Sequence, residues 1–209
     1  MNILNDILLI GKRIISDQSP VALSSLPDDN WQETWDAKGG SWGYKDGYLI
    51  GSEPGNKGGI LLSKQSFDND VMLSFTAASV LPATRDVNAV YCTTWDEDIN
   101  YLKLAYISGI GGWYEDKCGI ERFPEDGLRA LNPLYHYEPG REVRITTGAI
   151  GGHNFLVVDE VLVQELIDPN PIVGGRVGFS PYSTMLKIKD IEVREICWEE
   201  RIQIYEPEF

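Results

Sequence analysis

The segment Trp42-Gly43-Tyr44-Lys45-Asp46-Gly47-Tyr48-Leu49-Ile50 decides the fold class. It reads as two short strands joined at Asp46-Gly47, because an Asp-Gly pair tolerates the positive φ of a tight hairpin turn. Further strands lie downstream. Gly59-Ile60-Leu61-Leu62-Ser63, Val71 to Thr76, Val87 to Thr93 and Tyr101 to Ile107 are short, apolar and bounded by polar gaps. In the last of these, alternation puts Leu102, Leu104 and Tyr106 on one face and Tyr101, Lys103 and Ala105 on the other. Gly119 to Phe123 is another strand, and residues 124–141, rich in Pro, Gly and charge, form a long connection. Val143 to Ala149 and Asn154 to Val158 make a hairpin through Ile150-Gly151-Gly152-His153, with Val161 to Leu166 and Arg176 to Phe179 beyond it. Between Met185 and Arg194, Leu186 and Ile188 fall out of phase with Ile191 and Val193, and a bulge near Asp190 restores them to one face. About a dozen short strands with frequent turns predict an all-β antiparallel sandwich or jelly roll.

Upstream of Pro20 the pattern changes. Ile3, Ile7, Ile10 and Ile14 follow helical spacing, with Leu4, Leu8 and Ile15 widening the apolar face. Asp6 early and Lys12-Arg13 late suit a helix dipole. The spacing predicts a short helix over residues 2–16 that packs on the sandwich, or else meets a second copy in a homodimer. The expected organisation is an N-terminal helix and linker over 1–20, a sandwich over 21–197 and a C-terminal extension over 198–209.

Composition narrows the function classes. The 209 residues carry 18 Lys plus Arg against 32 Asp plus Glu, a formal net charge of -14. That average field repels polyanions, so nucleic acid and anionic membranes are not expected partners. No run of about 18 apolar residues marks a membrane helix. Residues 1–13 lack the basic start of a secretion signal. Cys92, Cys118 and Cys197 are an odd set without C-x-x-C spacing, which points to free thiols in a reducing, cytoplasmic setting and to no metal or other cofactor. Six Trp and ten Tyr are more aromatic side chains than a core requires.

The chain resembles the concanavalin A-like lectin and glucanase jelly rolls. The resemblance is carried by Trp42 to Leu49, Phe155-Leu156-Val157-Val158-Asp159, Gly175-Arg176-Val177-Gly178-Phe179 and Ile188 to Val193, over roughly residues 30–195. Within that superfamily it is most similar to the YesU-like proteins of bacterial pectin-utilisation loci, through Asp98-Ile99-Asn100-Tyr101-Leu102-Lys103-Leu104-Ala105-Tyr106 and a basic residue at Arg122. The resemblance implies an oligosaccharide partner of plant-cell-wall or pectin origin, with Asn100, Lys103 and Tyr106 among the substrate-binding residues. It departs from many relatives at Asp159-Glu160, where they carry Asp-Gly.

The reaction is less legible than the fold. The glucanase pattern Glu-x-Asp-x-x-Glu is absent, and so is the galectin pattern, since Leu134 follows Asn132-Pro133. Asp96-x-Asp98-x-Asn100 opens like a calcium loop but has Tyr101 at the glycine position and Ile107 at the final acid position. The richest stretch is Gly109-Ile110-Gly111-Gly112-Trp113-Tyr114, followed by Gly119-Ile120-Glu121-Arg122-Phe123. Trp95, Trp113 and Tyr114 at sheet ends could stack the C–H face of a sugar, or could seal the core. Glu121 and Arg122 fall on opposite strand faces, so only one lines a groove; the resemblance selects Arg122. His136, flanked by Tyr135 and Tyr137, could transfer protons or stand as an exposed loop residue. Arg129 could grip a uronate carboxylate or serve a local ion pair. Three readings follow: glycosidic bond cleavage using Glu121, Arg122 and His136; lectin-like binding on the same aromatic residues; or a structural subunit of a carbohydrate-processing complex that packs through 2–16 and 198–209.

Overall fold

The computed structural model describes residues 5–25, 27–55, 58–68, 70–113, 116–124 and 127–202. Its strands, in chain order, are β1 (Ile7–Leu9), β2 (Lys12–Ile14), β3 (Val21–Ser25), β4 (Trp35–Gly39), β5 (Ser41–Lys45), β6 (Tyr48–Glu53), β7 (Ile60–Ser63), β8 (Val71–Ser79) and β9 (Val87–Asp96). There follow β10 (Tyr101–Gly112), β11 (Lys117–Phe123), β12 (Arg129–Asn132), β13 (Val143–Ile150), β14 (His153–Val158), β15 (Val161–Ile167), β16 (Arg176–Phe179), β17 (Thr184–Glu195) and β18 (Trp198–Glu200). A front sheet of seven strands runs β12-β11-β10-β9-β16-β7-β4, and a back sheet runs β15-β14-β13-β8-β17-β6-β5 with β3 also on β17. All pairings are antiparallel. The expected all-β sandwich is therefore the architecture of the chain.

Local chemistry accounts for the turns. Asp46 and Gly47 both take positive φ, 52° and 82°, and close β5 onto β6. Asp159 and Glu160 also take positive φ without a glycine, while Asp159 Oδ1 accepts the Arg144 amide 2.9 Å away. The expected bulge in β17 is present. Asp190 has φ 51°, the register with β8 shifts between Lys189 and Glu192, and Leu186, Ile188, Ile191 and Val193 all enter the core. The core fills the space between the sheets, with Phe75 of the back sheet edge-on to Phe179 of the front at 5.0 Å. Trp31 and Trp35 are buried structural residues, and Trp35 Nε1 donates to Ser25 Oγ. Cys92 and Cys118 are buried free thiols, while Cys197 is half-buried.

The N-terminal segment corrects the helix expectation. Residues 7–14 form the hairpin β1–β2, turning at Ile10-Gly11, where Gly11 has φ 71° and Ile10 is 72% exposed. A helix would have turned Ile10 inward. The back sheet instead offers an outer apolar patch of Met72, Ile150, Phe155 and Val157, and alternation lets Leu9 and Ile14 cover it. Asp6 and Arg13, read as dipole charges, form a salt bridge to each other. The segment after 197 is not a separate extension as far as it is described, because β18 pairs with β2 and completes a three-stranded third layer. His153, at the end of a turn, is buried between Lys12 Nζ at 3.2 Å and Glu165 at 2.8 Å, tying this layer down. The long connection of 124–141 also contains a strand, β12.

Candidate functional site

The outer face of the front sheet can be read row by row from the strand register. One row is Leu131, Gly119, Gly109 and Asn88 across β12, β11, β10 and β9. The next is Arg129, Glu121, Ile107, Val90, Gly178, Leu62 and Asp36, spanning all seven strands. The first row has two adjacent glycines, so the sheet surface there is bare backbone. The indole of Trp113 occupies that floor. A Cβ added to Gly119 would meet its ring at 3.1 Å.

Trp113 is held by a short chain of polar contacts. Its φ is 52°, reached after Gly111 at 68°, so the glycine run lets the chain double back over β11. Its Nε1 donates to Glu121 Oε2 at 2.9 Å, and Arg129 approaches the same oxygen at 2.6 Å. At the end of the sheet, Asp86 lies beside Gly112, flanking a depression of about 330 Å³ lined by Thr84, Arg85, Gly111, Gly112, Asp116 and Tyr137. Burial pushes the Asp86 carboxyl up to about 6, against the pull of Arg85 and a hydrogen bond from Asn88.

The other half of the face is covered. Ile60, Leu62, Val90, Leu102 and Ala105 are fully buried there, beneath half-buried Trp95, Tyr101 and Phe123. Register shifts at Leu102/Leu104 and Leu104/Tyr106 bend the β9–β10 hairpin, and its tip reaches over the face. Lys38 of β4 meets that tip, bonding Glu97 at 3.1 Å and lying 5.5 Å from the Trp95 ring. The same bulges break the simple alternation read for β10. Leu102 joins the outer cluster with Ala105, while Leu104 and Tyr106 face the core.

The sequence-nominated residues divide accordingly. Trp113, Glu121 and Arg129 come together. Trp95 lies on the same face beyond Tyr101. Arg122 does not line the outer face. It pairs in register with Tyr106, points to the core side, and places Nε 3.3 Å from Asp168. Tyr106 is wholly buried and donates to Asp168 at 2.7 Å, so it has no surface for a sugar. Asn100 is a turn residue with φ 51° at the exposed hairpin tip, and Lys103 is exposed at the bulge. His136 is 77% exposed, 3.5 Å from Asp116. Tyr114 lies outside the described residues. Asp96 accepts the amides of Asp98 and Ile99, a turn-capping role. Among the described residues no group of three or more His, Cys, Asp or Glu could hold a metal.

Sequence reasoning missed Asp86, Tyr101 and Phe123 as parts of this face. Period-two counting from Glu121 reaches Phe123 directly. Asp86 needed the register of β9 against β10, which no local pattern gives.

No protein-family model matches the sequence, and no curated protein matches it. Solved structures do match in fold. Carbohydrate binding module CBM66 from Bacillus subtilis superposes with a TM-score of 0.62 at 18% identity, covering 77% of this chain and 95% of that one. A protein of unknown function with a galectin-like fold, also from Bacillus subtilis, gives 0.64 at 11% identity over 86% and 99%. The exoplasmic/lumenal domain of VIP36, in its Ca2+/Man-bound form, gives 0.55 at 13% over 93% and 100%. The chain thus shares its antiparallel sandwich fold with these galectin-like and sugar-binding structures.

Proposed function

We propose that the protein is a carbohydrate-binding module that holds an oligosaccharide on the outer face of its front sheet without cleaving it. The observation that carries this reading is the indole of Trp113 lying over bare Gly119 and fixed through Nε1 by Glu121, which Arg129 also engages. A sugar has an apolar C–H face for the ring and hydroxyls for a carboxylate and a guanidinium. The names of CBM66 and of the Man-bound VIP36 domain support a sugar as ligand. Pectin-derived and neutral oligosaccharides both belong in the first screen.

Glycosidic bond cleavage is the second reading. Asp86, held at about 6, has the pKa of a general acid near neutrality. Its partner would be Glu121, which lies two strands and four residues away. At sheet spacings that is a backbone separation of about 16 Å. Paired glycosidase carboxyls stand about 5 to 10 Å apart, which here would need both side chains fully extended toward each other, and Glu121 is instead engaged by Trp113 and Arg129. Binding is therefore the better fit.

The test is a panel of pectin-derived and neutral oligosaccharides, followed by thermal shift and by product release. Stabilisation without products is expected, and Trp113→Ala should abolish it. Products from any sugar would replace binding by catalysis, and no shift with any of them would remove the sugar reading.

A further inference from the structure

We propose that the site is a track rather than a pocket: Trp113, Glu121, Phe123, Tyr101 and Trp95 take an internal stretch of a neutral, linear glycan, not a single terminal sugar. The inference rests on the sugar-binding reading and extends it to a ligand class.

The track follows from register and ring geometry. Gly119 under Trp113, then Glu121 and Phe123, occupy successive outward positions of β11. Four residues of strand carry the line about 14 Å along the sheet. At Phe123 it turns across the strands. The Tyr101 ring stands 5.6 Å from Phe123, and the Trp95 ring 6.4 Å from Tyr101. Those steps are of the order of one ring width, and with planes 67° and 46° apart the rings form a faceted strip rather than a flat platform.

The three rings are more than a cover. Ile60, Leu62 and Val90 beneath them are fully buried, a task that aliphatic side chains would do equally well. The cover consists instead of half-buried aromatic rings, continuous with Trp113 on one face. Rigid rings seated on a packed floor give apolar contact at little entropic cost, and their exposed parts match the C–H faces of sugars.

Charge selects the class of chain. Three of the cations along the track, Arg129, Lys38 and Arg176, are engaged by carboxylates, while Lys103 at the hairpin bulge is exposed. Arg129 pairs with Glu121, Lys38 with Asp36 and Glu97, and Arg176 with Asp36. A polyuronate would have to break these pairs and enter the field of a protein of net charge -14. A neutral chain meets neither cost.

The experiment is calorimetric titration of the whole protein with mono- to hexasaccharides of β-glucan, mannan, xylan and β-galactan, with oligogalacturonates of matching length. For the neutral sugar that binds, affinity should rise roughly tenfold or more from disaccharide to tetrasaccharide. Tyr101→Leu and Phe123→Leu keep an apolar cover over Leu62 and Val90. They should erase that gain while leaving disaccharide binding at Trp113, with folding checked by circular dichroism. Should either variant fail to fold, the length profile of the natural protein decides alone. A flat profile that still depends on Trp113 would overturn the track and leave the binding site standing. Tightest binding of oligogalacturonates would overturn the neutral class. No binding by any chain would remove both.

Discussion

On β11, Glu121 and Arg122 are chain neighbours that point to opposite sides of the front sheet. Their mutants should separate cleanly. Arg122→Ala removes the guanidinium beside the buried Asp168 carboxylate and should cost about 1 to 3 kcal/mol in urea unfolding. It should leave glycan affinity unchanged. Glu121→Gln should weaken glycan binding with little loss of stability, since it keeps the shape of the side chain and loosens only its contacts with Trp113 and Arg129. Asp86 gives a pH signature. Its folded pKa of about 6 stands above the ordinary carboxylate value of 3.8, so the folded state holds its proton more tightly than the unfolded state. Ionising Asp86 therefore destabilises the fold. The penalty is absent below about pH 4, grows up to about pH 6 and is constant above. Melting curves of Asp86→Asn should match the natural protein at pH 4 and lie above it at pH 7. An equal difference at both pH values would mean that burial does not set this group's titration.

Among elements, the β1–β2 hairpin shows why a pattern of apolar residues can be misread. Ile3, Ile7, Ile10 and Ile14 satisfy a helical stripe, yet Ile7 and Leu9 on β1, with Ile14 on β2, also satisfy strand alternation on either side of a two-residue turn. The deciding partner is far away in sequence, on β8, β13 and β14. Leu9 is fully buried against that patch, so Leu9→Ala should cost about 2 to 5 kcal/mol if the hairpin unfolds with the whole protein. If the hairpin opens on its own, amide exchange should rise in residues 5–16 while the sandwich keeps its protection. The bulges of β10 escaped the sequence for the same reason. They are defined by register against β9, and they alone place Leu102 on the outer face and Tyr106 in the core. The bulge at Asp190 was legible because the apolar residues on both sides of it face one buried surface.

At the scale of the molecule, the chain stacks three layers, with the candidate glycan face on one outer side and the N-terminal layer on the other. Sites so separated should be energetically independent. Deleting residues 1–16 exposes Met72, Ile150, Phe155 and Val157, and light scattering should report self-association. Glycan affinity of the monomeric fraction should remain within a factor of about two. A larger loss would show that the third layer shapes the front sheet.

Sequence alone determined the class of the fold, because alternation, Asp-Gly and Gly-Gly turns and the Asp190 phase shift are local features that each strand carries itself. It also nominated Trp113, Glu121 and Arg129. Tertiary structure alone decided that these three meet, that Arg122 and Tyr106 serve Asp168 within the fold, and that the first segment is a hairpin. A strand records which of its residues share a face, but which face is buried depends on what the other sheet and the neighbouring register bring against it.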